Sequence, residues 1–89
     1  MDNILEQYRG HLAPIIYECL EQMYERMKET DDKAMYGTWK ELIRLLIQKD
    51  VSVTAAFRIC MMKIKEEYRN MILMMFIKYE RNPMNRNRS

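Results

Sequence analysis

The chain has 89 residues, 48% of them apolar and 31% charged, with two glycines, two prolines and a formal charge of +2. That size fits one small domain near the limit at which a single core is self-sufficient, and the composition argues against disorder except at the ends. The net charge covers an asymmetry: residues 1–32 hold eight acids against three bases, net −5, while the remainder holds twelve bases against five acids, net +7.

Leu5, Tyr8, Leu12, Ile16, Leu20, Met23 and Met27 recur at the spacing of one helical face. Gly10 and Pro14 interrupt this pattern. A proline removes a backbone donor and crowds the preceding turn, so the sequence predicts a short amino-terminal helix, a bend near residues 10–13, and a main helix with Pro14 in its first turn.

"ETDDK" ends that helix and begins the next, with acids suited to a helix amino terminus. Gly37 then intervenes, and "TWKE", Thr38 to Glu41, has the capping-box pattern, so the regular part of the second helix is expected from Trp39. Its apolar face is Trp39, Leu42, Ile43 and Leu46, widened by Leu45 and Ile47, and it should stop near Lys49 to Asp50.

Ser52 is the expected cap of a third helix running from Val53 to Asn82, where Pro83 stops it. Such a helix is about 45 Å long and outruns the second. The expected fold is all-α: a three-helix bundle with a short amino-terminal helix and a long carboxy-terminal helix, dimeric, with residues 1–82 as a single helical domain and 83–89 as a disordered basic tail.

Residues for enzyme chemistry are scarce. His11 is the one histidine, and Cys19 and Cys60 lie at no ligand-like spacing, so neither a His-based triad nor a zinc site is expected. The cysteines read as two buried reduced thiols. Gly10 and Gly37 are too far apart for a phosphate-cradling loop, and adjacent Glu66 and Glu67 point about 100° apart on a helix. No catalytic, metal or cofactor site is expected. With no secretory signal and no apolar run of about 18 residues, the expected setting is soluble and cytoplasmic.

A nucleic-acid surface is the alternative reading. "ELIRLLIQKDVSVTAAFRICMMKIK" resembles two of the three elements of a helix-turn-helix, and the following "FRICMMKIKEEYRN" shows no breaker to start a recognition helix. On a continuous third helix Arg58, Lys65 and Arg69 share one side, joined by Arg81, Arg86 and Arg88.

The remaining anomaly is the unbroken apolar run Met71 to Ile77. Projected at 100° per residue, Met71 and Met75 continue the core face, whereas Ile72, Leu73, Phe76 and Ile77 sweep across the side that was basic. Such a surface calls for a cover, and helix 1 of the same chain, a second copy and a different protein are the three candidates. Ten methionines lean towards adaptable contacts, with Met62 and Met74 at the margins, and Tyr79, Tyr68 and Trp39 as aromatic anchors, Trp39 more naturally in the core. The wealth of Met, Ile, Lys, Asn and Tyr also fits a genome rich in A and T, which with the small size suggests a phage or mobile-element protein. The expected function is that of a small non-enzymatic adaptor, inhibitor or regulator, a homodimer binding a protein partner through this surface.

Overall fold

Asn3 accepts the Leu5 amide at 3.1 Å and opens a short 3-10 turn, Ile4–Tyr8, which buries Leu5. Gly10, at φ 93°, redirects the chain, and α1 (Pro14–Thr30) begins on the proline as its spacing predicts. The computed structural model describes residues 1–81, so the tail expected from Pro83, with Arg86 and Arg88, lies outside the described residues.

α1 ends at Asp31, whose left-handed backbone (φ 52°) lets its amide reach the Lys28 carbonyl. Asp32 then caps α2 (Lys33–Leu46) by accepting the Met35 amide at 3.1 Å. The second helix thus starts six residues before the expected Trp39 and stops short of Lys49. A real cap at Asp32 lets the helix run through Gly37, and Thr38 is a buried interior residue instead of a cap.

Ser52 caps α3 (Val53–Cys60) through the Ala55 amide, as expected. The continuous third helix expected from Val53 to Asn82 is corrected. A 3-10 turn, Met61–Lys63, follows α3, Ile64 is extended (φ −89°, ψ 123°), and α4 runs from Glu66 to Arg81. The cause is tertiary. Ile64 is 2% exposed and turns into the core, the Lys65 ammonium meets the Asp32 carboxylate at 2.6 Å, and the Arg69 Nε donates to the Ile64 carbonyl at 3.2 Å.

The described residues are therefore all-helical and form a compact body with four α-helices. α1 and α4 pack antiparallel, with Cys19 beside Met71 and Arg26 beside Glu67. Trp39 sits at the centre, fully buried between the rings of Tyr24 and Tyr36, and its indole N–H donates to the Leu20 carbonyl at 3.0 Å. The hydroxyls of those two tyrosines donate to the Met1 and Asp2 carbonyls, which holds the amino terminus on the body. Phe57 and Phe76 meet edge to face at 5.0 Å and join α3 to α4. Cys19 and Cys60 are both buried, unpaired thiols. No described helix is long and apolar enough to cross a membrane.

Candidate protein-binding surface

α4 divides into two faces. Tyr68, Ile72 and Met75, at spacings of four and three, form its inward side. Ile72 is only 2% exposed, so its expected outward position is corrected: it belongs to the core. Phe76 is half-buried against Phe57, and Tyr79 is half-buried beside the core.

The outward side keeps Leu73 (58% exposed), Met74 (55%) and Ile77 (38%). Leu73 and Ile77 are four residues apart and Met74 lies three before Ile77, so the three make one apolar crest. Lys78 and Arg81 are exposed at its end. Met74 and Lys78 also edge the seam with α1, where Ile15, Cys19 and Met71 close around a cavity of only about 30 Å³. That seam is too small to be a ligand site.

Met62 stands out on the 3-10 turn at 91% exposure, with Ile59 three residues earlier at 55%. Ile59 is absent from the sequence-derived surface although a signal for it exists. It follows Phe57 by two residues, about 200° round a helix, which places it opposite the core face.

The basic stripe expected on one continuous helix is dispersed by the bend. Arg58 is exposed on α3, while Lys65, just before α4, and Arg69, in its first turn, are engaged by Asp32 and the Ile64 carbonyl. The Asp32 carboxyl is held below its usual range by the hydrogen bond from Lys65, and the Lys65 ammonium is correspondingly raised. Arg81 is exposed at the end of α4. α1 carries the opposite sign: Glu18, Glu21, Glu25 and Glu29 are exposed at turn spacing along it, beside the Arg26–Glu67 pair that crosses to α4 at 3.3 Å.

A larger hollow of about 250 Å³ lies between the amino-terminal segment and α1, lined by Arg9, Leu12, Pro14, Tyr17 and Glu21 among others. The Arg9 guanidinium covers the Tyr17 ring at 5.0 Å, so this cation is already spent on a neighbour. Burial pushes the Cys19 thiol up to about 12 and raises Cys60 as well, so neither is poised as a nucleophile. Among the described residues no group of three or more His, Cys, Asp or Glu side chains is arranged to hold a metal. No family model matches the chain, and neither a curated protein nor a solved structure matches it.

Proposed function

We propose that the chain is a small non-enzymatic protein-binding module, an adaptor or inhibitor of phage-like type acting in the cytoplasm as a homodimer. In this reading α3 and α4 are two halves of the third column of a three-helix bundle, and the docking surface is Leu73, Met74 and Ile77, with Met62 as an adaptable margin. The observation that carries it is the crest itself. Three large apolar side chains stand together in water on a helix whose other face is fully packed. Full burial of such a side chain is worth about 1.5–3 kcal/mol, so a partner covering the crest gains a part of that for each. Unbranched Met74 adapts to an irregular partner, and Lys78 and Arg81 at the rim favour an acidic one. The glutamate face of α1 on a second copy has that character, which is why a homodimer is the first assembly proposed.

The test is the double substitution Leu73→Glu with Ile77→Glu, read by mass in solution and by capture of partners from the native cell. Both sites are exposed, so folding should survive. The expected result is loss of the dimer and of the captured protein. Unchanged mass and unchanged capture would sink the proposal. Arg58→Glu with Arg86→Glu and Arg88→Glu is the contrasting variant: if it abolishes cellular activity while capture persists, a nucleic-acid surface is favoured instead.

A further inference from the structure

We infer that Met61–Lys65 is a hinge, and that a second copy of this chain can bind by exchanging α4, so that the α4 of each copy packs on the α1 of the other. This goes beyond the docking surface proposed above and stands without it.

The hinge is where local and tertiary preferences disagree. Residues 53–81 contain neither Gly nor Pro, and "MMKIKEEYRN" is made largely of helix-favouring residues. Lys65, which precedes the first turn of α4, has no acceptor with which to cap it. A continuous helix would give the amides of Glu66 and Glu67 the carbonyls of Met62 and Lys63, whereas the Tyr68 amide, which already donates to the Lys65 carbonyl at 3.0 Å, would only exchange acceptors. The chain instead turns at Ile64, whose ψ of 123° lies far from the helical value of about −42°. Burial of Ile64 and the Lys65–Asp32 pair hold the bend from outside it, and the Arg69 bond to the Ile64 carbonyl closes it locally.

Straightening the bend has a geometric consequence. A helix from Val53 to Arg81 is about 44 Å long. The described residues measure 39 Å along their longest axis, so a straight helix of that length cannot lie within the body and carries α4 beyond it. The face of α1 that α4 had covered is then bare, and its fitted complement is the α4 of another copy. Every α1–α4 contact is remade in the exchanged pair, so the two forms differ chiefly in the contacts at the hinge and in association. Each exchanged dimer also carries two apolar crests.

Arg26→Cys with Glu67→Cys sets one thiol on each side of the α1–α4 seam, where the native side chains meet at 3.3 Å. Both positions are exposed, and the native thiols are buried, so a short bis-maleimide reacts at the introduced pair. Protein concentrated through its thermal midpoint, cooled and then treated should yield two chains joined covalently. Glu66→Pro is the locking variant. Proline suits the first position of α4 but forbids a helix through it, so it should lower the joined fraction by about a hundredfold. Asp32→Asn keeps a side-chain cap while removing the charge that holds Lys65, and should raise that fraction. A bridge confined to single chains at every concentration overturns the inference, as does a joined fraction that Glu66→Pro leaves unchanged. A dimer docked through the crest without exchange keeps the bridge within each chain and is lost with Leu73→Glu and Ile77→Glu, so the two proposals fail separately.

Discussion

Ile72→Ala and Leu73→Ala compare adjacent residues that the sequence pattern places on the same surface and the structure separates. Ile72 is 2% exposed, and truncating a buried isoleucine to alanine costs about 2–5 kcal/mol, the lost transfer energy plus the cavity left behind. Leu73 is 58% exposed; its truncation should stay within about 0.5 kcal/mol, with alanine's helix propensity offsetting the small loss of contact. With 89 residues and an unfolding entropy of about 2.1 cal/mol/K per residue, 3 kcal/mol lowers Tm by roughly 16 °C and 0.5 kcal/mol by less than about 3 °C. Thermal and urea unfolding followed by circular dichroism measures both, and an unchanged urea slope confirms that stability alone has shifted. Equal losses, or a larger loss at Leu73, would mean that α4 is rotated by about one residue and that the crest is wrongly placed.

The buried and paired groups give three further expected outcomes. The Asp32 carboxyl is depressed by its Lys65 partner, so its contribution is present above about pH 3.8 and lost as pH falls through the folded value; Asp32→Asn should flatten the acid limb of a Tm-against-pH curve, more at low salt than at high. Cys19 ionises near 9.0 when unfolded and about 12 when folded, so stability should decline from pH 9 upward by about 1.4 kcal/mol per unit from this group, and Cys19→Ala should reduce that slope. The raised Tyr68 phenol, shifted by burial, acts in the same direction. Among the described residues no partner meets the buried Tyr17 hydroxyl, so Tyr17→Phe should be neutral or stabilising by up to about 1 kcal/mol; a loss larger than that in urea unfolding would show a hidden partner.

Elements whose signals are local are legible in the sequence. Pro14 at the first turn of α1, Ser52 as a cap and the three-and-four spacing through Met27 each state a backbone preference that no distant contact opposes. The start of α2 is a closer contest between two local signals: the Asp32 cap prevails over Gly37, since an interior glycine weakens a helix by only about 1 kcal/mol. The bend at Ile64 has no breaker residue to announce it. Its causes are burial of one side chain, a pair between Lys65 and Asp32, 33 residues apart in sequence, and a bond from Arg69 to the Ile64 carbonyl that forms only once the chain has turned.

The same bend explains which part of the candidate surface was legible. Projecting a straight helix from Val53 centres the inward face between Cys60, Ile64 and Met71, whereas the true inward residues of α4, Tyr68, Ile72 and Met75, lie roughly 65° further round. A rotation of that size carries Ile72 across the boundary into the core and draws Phe76 towards Phe57. Leu73 and Ile77 lie close to the outward pole in either register, and they remain exposed. Lys65 and Arg69 fail as a basic stripe for a different reason: their charges hold the bend in place. The apolar crest is thus the part of the surface that survives a change of register, and the basic stripe is the part that depends on a straight helix.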